Sequence, residues 1–328
     1  MGVRQGEVRF DAFDVLHARD GTGIHVRHEL IICTRNRANE LETCLESLAS
    51  QTVLPQRVLV VDSSDADTSQ KVTERFAEQT PGLEVKFVRA APRKTIQLNV
   101  ALDLLDPSTE IVHFTDDDVI LDPHYLRDML AAFQSHPEYG GVGGRVANPP
   151  KQRAKGLVKL YRRAFLLDSK RQGALLRSGM NVLCRTGHQP RRVDWLSGCS
   201  MSYRAGAIAG LRFDETRAGN GMGEDVDFSA RVAERAPLMW TPQAVIDHRE
   251  SPVNREDDLV ARRRAIRSWW RLAVLNIGSV NRFAVLYAVA GDTLMLLIMA
   301  GVFRSRRYMR QAIANGAGLV DIVRGTPV

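Results

Sequence analysis

The sequence predicts an α/β fold: a mostly parallel central sheet with helices on both faces, followed by a basic, apolar helical tail. Three observations predict it. Buried-strand runs alternate four times with helical apolar spacing over the first half of the chain. The last of these strands runs into three adjacent carboxylates, Asp116, Asp117 and Asp118, at the kind of strand end where open α/β sheets place ligands. The charge is also unevenly placed. Beyond residue 250, twelve arginines and no lysine stand against five acids, which accounts for the whole net charge of +7.

At 328 residues the chain is long enough for one large domain and an appendage. Residues 1–27 read as a lead-in with weak strand signals at 8–10 and 24–26 and no signal-peptide core. The first strong strand is 30–33 (LIIC), ending in Thr34-Arg35-Asn36-Arg37. Leu41, Cys44, Leu45 and Leu48 then keep helical spacing. Residues 58–61 (VLVV) form a second buried strand that ends in the turn-forming stretch 62–67 (DSSDAD). A helix follows to about Gln79, where Pro81-Gly82 breaks it. Residues 85–88 are a third strand, and Arg93-Lys94 open a helix running through Leu105. The strand 111–115 delivers the acidic triplet, and Tyr125, Leu126, Met129, Leu130 and Phe133 mark the helix after it. A further strand covers 141–146.

Three carboxylates in a row repel one another, so they need open water or a cation. Oxygen donors select hard cations such as Mg²⁺ or Mn²⁺, the usual partners of phosphates. No GxGxxG follows the first strand, which removes the main support for a nicotinamide-binding domain, and no GxxxxGK[ST] occurs. The four cysteines show neither a CxxC pair nor metal-ligand spacing and read as reduced, buried thiols of a cytosolic protein.

Residues 151–192 turn basic, polar and interrupted. They read as a mobile insertion over the ligand edge of the sheet, a lid or acceptor element, or as a solvated helical connection. Order returns at 194–203 (DWLSGCSMSY). After a loop, the glycine-rich 219–223 leads to Glu224, Asp225 and Asp227 at a helix start. Acids there serve as caps stabilised by free N–H groups, or as functional carboxylates on a flexible arm. A late strand ends at His248.

Six segments in order, 30–37 (LIICTRNR), 60–67 (VVDSSDAD), 114–118 (FTDDD), 195–203 (WLSGCSMSY), 223–227 (GEDVD) and His248, resemble family 2 glycosyltransferases of the GT-A fold over roughly residues 28–250. The resemblance implies an enzyme that moves one sugar from a UDP-, dTDP- or GDP-linked donor to a glycan or polyprenyl-linked hydroxyl. Asp116 and Asp117 then belong at the ribose or donor sugar, and Asp118 with His248 at the Mg²⁺ or Mn²⁺. Thr34, Arg35 and Asp62 fall around the nucleobase, where Ser63 replaces the second aspartate of the usual VDDGS form. Arg93, Lys94, Gln97 and Asn99 fall near the diphosphate. Trp195, Gly198 and Glu224 fall at the substrate, with Glu224 positioning the glycine loop. Asp225 matches the general base of an inverting displacement. A QxxRW segment is absent, and 262–270 (RRRAIRSWW) does not fit its spacing, which favours single-sugar transfer.

Two rivals are weaker. A nucleotidyltransferase needs a glycine-rich basic loop after the first strand, and 34–37 lacks glycine. A nucleic-acid binder would interleave the tail arginines with exposed aromatics rather than with an apolar run.

The tail, residues 251–328, contains a 21-residue apolar run at 283–303 with a single charge, Asp292. It is long enough to span a bilayer. An acid at mid-membrane costs about 2.5–3.5 kcal/mol on insertion scales, and both flanks are arginine-rich, against the positive-inside tendency. The expectation is therefore of helices lying in the cytoplasmic face of the membrane, peripheral or monotopic. A re-entrant hairpin comes second, and a helix packed on the catalytic domain or a second subunit third. No nucleic acid is expected as a partner, and self-association stays open.

Overall fold

The computed structural model describes residues 26–149, 154–217, 221–251, 253 and 257–328. Nearly all of the expected lead-in, and part of the glycine-rich loop, lie outside the described residues. The first half follows the expected alternation: β1 (His28–Thr34), α1 (Ala38–Ala49), β2 (Arg57–Asp62), α2 (Thr68–Gln79), β3 (Glu84–Arg89), α3 (Lys94–Asp103) and β4 (Ile111–Asp116). Strands β1 and β2 are buried on both faces, which is why they read as unbroken apolar runs. The helix after the first strand buries Leu41, Cys44, Leu45 and Leu48, the four residues whose spacing announced it.

The second half is less regular. After β4 come β5 (Val119–Leu121), α4 (Tyr125–Ser135), β6 (Gly141–Val146), α5 (Gly156–Ala164), β7 (Arg191–Val193), β8 (Met201–Arg204), the short α6 (Ala205–Ile208), α7 (Glu224–Ala233) and β9 (Leu238–His248). Among the described residues one sheet has the order β3-β2-β1-β4-β8-β6-β9-β5, with β7 paired to β9. Strands β3, β2, β1 and β4 are mutually parallel, while β8 runs antiparallel to both β4 and β6. The mixed half was not apparent from the alternation because β8 arrives after a long excursion rather than through a single crossover helix.

Register explains the position of the site. In the parallel half Thr34 pairs with Asp62 and Cys33 with Asp116, so the C-terminal ends of β1, β2 and β4 share one edge. On the far side β5 runs antiparallel to β9 and sets His248 opposite Val119, next to Asp118. One apolar core lies between the sheet and the helices α1 and α4. A second lies on the opposite face under α3 and α7, around Phe114, Phe213 and Phe228. The cysteines are unpaired; burial pushes the Cys33 and Cys199 thiols up to about 12, consistent with inert side chains.

Three helices form the tail: α8 (Asp258–Val274), α9 (Arg282–Val302) and α10 (Arg306–Val323). A third apolar cluster joins them to the α/β domain: Ile266, Leu272, Val285 and Val289 share it with Val226 and Ala230 of α7 and with Trp195. The acid in the apolar run is partnered. Asp292 is ion-paired to Arg262 and accepts a hydrogen bond from Asn315 at 3.0 Å. Helix α9 is long and apolar enough to cross a membrane by length and composition. It buries one side, including Val285, Val289 and Leu296, and exposes Phe283, Leu294, Leu297 and Ile298 on the other. Packing on the catalytic domain, the third of the expected arrangements for the tail, therefore holds for one face of α9.

The described part of the 151–192 segment is docked on the tail. Tyr161 Oη donates to the Gly291 carbonyl at 2.8 Å, Asn281 N donates to the Arg177 carbonyl at 3.0 Å, and Gly179 closes against Trp269.

Candidate active site

Strand β4 ends at Asp116, and the tight turn Asp117-Asp118 before β5 sends the three carboxylates to different sides. Asp116 and Asp118 face the ligand edge, where they and His248 each offer a donor atom within 4.8 Å of the others. Asp117 faces inward. It is 3% exposed, accepts a hydrogen bond from Thr34 Oγ1 at 2.7 Å, and lies 3.1 Å from Arg37. Burial raises its carboxyl to about 7, only partly offset by Arg37 and Thr34. Asp117, expected at the donor, is thus engaged within the protein, and Asp116 is grouped with Asp118 and His248 as residues that could hold a metal.

Asp118 is held by His248 Nε2 at 3.2 Å, by the Ser251 N–H at 2.9 Å and by Arg37 at 3.5 Å. Burial works to raise its carboxyl, but these partners overcome it and hold it at about 2. Burial alone would lower the His248 imidazole, yet Asp118 and Asp116 carry it above its ordinary value. Two carboxylates and an imidazole at one edge are a donor set suited to Mn²⁺ or Mg²⁺.

Opposite the acids sits a cation. Lys94 Nζ lies 2.7 Å from Asp116 and 2.9 Å from Glu224. Burial opposes its charge, but the two carboxylates raise it well above the usual lysine value. Glu224 is buried, and burial lifts it to about 7 against the pull of Lys94. Asp225, the next residue, is fixed by two backbone donors: the Gly198 N–H at 2.9 Å on Oδ2 and the Val226 N–H at 2.8 Å on Oδ1. Burial outweighs these bonds, and the carboxyl is raised. Gly198 lies beside both groups: a methyl there would be in ordinary contact with Lys94 Nζ at 3.5 Å and Asp225 Oδ2 at 3.6 Å.

Several expected substrate residues are engaged elsewhere. Asp62 is fully buried, accepts from the Ser64 N–H at 3.0 Å and pairs with Arg89 at 3.0 Å. Asn99 spends its amide on the loop 213–215, donating to the Phe213 carbonyl and to Glu215. Trp195 is buried, and its indole N–H donates to the Val182 carbonyl at 3.3 Å. Gln97 donates to the carbonyls of Thr34 and Val61, bracing the two strand ends. Each is a scaffold contact: strand-end and loop polar groups buried by folding must find partners, and these side chains supply them. Arg35 and Arg93 are exposed at the edge, and Arg93 also donates to the Glu215 carbonyl at 2.9 Å.

Two groups were not singled out in the sequence. Arg37 bridges Asp117 and Asp118 and donates to the Val253 carbonyl at 2.6 Å. A search for what neutralises three carboxylates would have pointed to the 34–37 turn. Arg217 is wholly buried and donates to the Met222 carbonyl at 2.9 Å and to Ser268 of α8 at 2.8 Å. It ties the arm carrying Glu224 and Asp225 to the tail. Gly223 lies at the joint, with φ +78, and a side chain there would collide with Ser268 Oγ.

Gly223→Ala is therefore expected to cost about 1–3 kcal/mol of stability, from strain at a left-handed position and from that collision. Chemical denaturation checks this. Gly206→Ala, where a methyl meets nothing within 4 Å, is the control expected to leave stability nearly unchanged.

The family described as Glycosyl transferase family 2 matches residues 29–192. No curated protein matches the chain. Among solved structures, the mannosyltransferase PcManGT from Pyrobaculum calidifontis, in complex with GDP-Man and Mn²⁺, is similar with a TM-score of 0.59. It is 17% identical over 93% of this chain and 89% of that one. GalNAc-T7, solved with UDP, GalNAc and Mn²⁺, gives 0.53 at 14% identity over 75% of this chain and 49% of its own. S. aureus TarS gives 0.51 at 18% identity over 84% and 43%. At these identities the likeness is one of fold, and the match at 29–192 ends before Asp225 and His248. With the strand-end acids, the GT-A fold and this match together, the chain belongs to glycosyl transferase family 2.

Proposed function

We propose that the protein is a metal-dependent, inverting glycosyltransferase that moves one sugar from a nucleoside diphosphate to a hydroxyl of a glycan or polyprenyl-linked acceptor. The observation that carries this reading is the pairing of two centres across one small space: the Asp116–Asp118–His248 donors on one side and the braced Asp225 on the other, with Lys94 between.

Asp116, Asp118 and His248 would hold the divalent ion. When bound, such an ion neutralises the charge that develops on a departing diphosphate. The remaining work belongs to the chain. Lys94 keeps a positive charge beside Asp116 and limits repulsion among the acids. Arg37 fixes Asp117 and Asp118 in register. Asp225 would take the proton of the acceptor hydroxyl as its oxygen attacks C1. Its two backbone donors aim the carboxylate, and burial makes it a stronger base than a solvated aspartate. One displacement inverts the anomeric centre.

The tail supports a membrane surface as the place of work, and we read it as the cytoplasmic face. Several tail arginines are committed internally, with Arg262 paired to Asp292, Arg263 and Arg267 to Asp321, and Arg271 to Asp214. That commitment argues against a nucleic-acid groove. The direct test is donor turnover. Purified protein is expected to hydrolyse or transfer from one class among UDP-, GDP- and dTDP-sugars, with Mn²⁺ or Mg²⁺ required and EDTA abolishing the rate. Equal turnover of every donor after exhaustive chelation would reject the metal-dependent reading.

A further inference from the structure

Helix α5 has no buried residue, and its most apolar side chains are its most exposed: Leu157 is 83% and Leu160 63% accessible. Isolated exposed leucines are ordinary, but these adjoin a larger apolar surface. The Phe165 ring, just past α5, stacks on Tyr287 of α9 with centroids 4.9 Å apart and meets the Tyr161 ring, tilted, at 4.5 Å. It fills the notch left by Gly291, while Tyr161 Oη holds the Gly291 carbonyl. Helical periodicity then sets Leu157 one turn from Tyr161. It sets Leu294 and Ile298, both about half exposed, one and two turns from Gly291. The exposed apolar side chains of the two helices flank a single contact.

The charge around this surface is positive in balance, with Arg162, Arg163 and Arg307 ion-paired to Asp292, Asp168 and Asp258 and further cations beside them. Between residues 154 and 167 stand Lys155, Lys159, Arg162 and Arg163 with no acid. From 293 to 320, around the turn between α9 and α10, stand Arg304, Arg306, Arg307 and Arg310, again with no acid. Exposed apolar side chains rimmed by cations are the pattern of a surface seated at an anionic lipid interface.

We propose that α5 is a second membrane-contact element, forming with α9 one surface that sits on an anionic bilayer. This deepens the membrane reading above and rests on it. It gives the 151–192 segment a role: the stretch leading to Gly198 at the site is fastened to the lipid plane, where a lipid-borne acceptor hydroxyl would arrive. A second copy of the chain is the competing occupant of the face.

The test is co-sedimentation of the full-length protein with vesicles of phosphatidylcholine, with and without phosphatidylglycerol. Wild-type protein is expected to bind the phosphatidylglycerol vesicles, and Leu157→Glu/Leu160→Glu to lower that binding by about tenfold or more. These side chains make no buried contact, so thermal melting and donor hydrolysis should be unchanged. Wild-type binding undiminished in the variant would overturn the proposal. So would a dimer, seen by light scattering, that the variant converts to monomer while vesicle binding stays the same. Loss of donor turnover in wild-type protein that still needs Leu157 and Leu160 for vesicle binding would sink the glycosyl-transfer reading and leave this one standing.

Discussion

Asp225→Asn is expected to lower the sugar-transfer rate by about 10²–10⁴-fold, the usual worth of a positioned general base. Asparagine fills the same volume and its carbonyl can still accept from Gly198 or Val226. The fold and the affinity for donor should therefore persist, and the loss should fall on kcat. The pH profile supplies a second readout. A base works only when ionised, and burial raises the Asp225 carboxyl, so transfer should fall on the acid side at a pH above the ordinary aspartate range. In the asparagine variant that acid limb should vanish from the residual rate. Steady-state kinetics across pH measures both. A parental rate in the variant would remove Asp225 from the chemistry.

Asp118→Asn attacks the other centre. Loss of even an outer-shell partner of a metal costs roughly 10–100-fold in affinity or activity, and a direct oxygen donor should cost at least that. Excess Mn²⁺ should recover part of the rate. The same substitution carries a stability signature with a definite sign. The folded Asp118 carboxyl is held at about 2, below its unfolded value, so its ionised form stabilises the fold above the ordinary aspartate range. That contribution is lost as pH falls toward 2. The melting difference between the two proteins, measured without added metal, should be present at neutral pH and shrink on acidification.

The parallel half of the fold was legible because burial on both faces writes itself as uninterrupted apolar runs, as in β1 and β2. The acidic corner was legible for the same kind of reason: Asp116 to Asp118 follow a strand directly, and strand ends in such sheets face the ligand. Which acid points where was not. The inward placing of Asp117 depends on the turn that ends β4 and on Thr34 and Arg37 being near, contacts made by folding. The internal partners of Asn99, Trp195 and Asp62, the Phe213 and Val182 carbonyls and Arg89, were not legible either, since folding brings them together from 13 or more positions away. The partner of Asp292 was equally out of reach, since Arg262 lies 30 positions away and meets it through helix packing. Long-range polar pairing leaves little trace in local composition, whereas burial and alternation leave much.

In the proposed reading, one corner of the sheet grips a divalent ion and a nucleoside diphosphate, with Asp225 across from it. A crystal grown with Mn²⁺ and a nucleoside diphosphate tests this most directly through the anomalous signal of manganese. A peak is expected within bonding distance of Asp116, Asp118 and His248, with the diphosphate on the same ion. Manganese and nucleotide bound elsewhere, with those three side chains contacting neither, would contradict it.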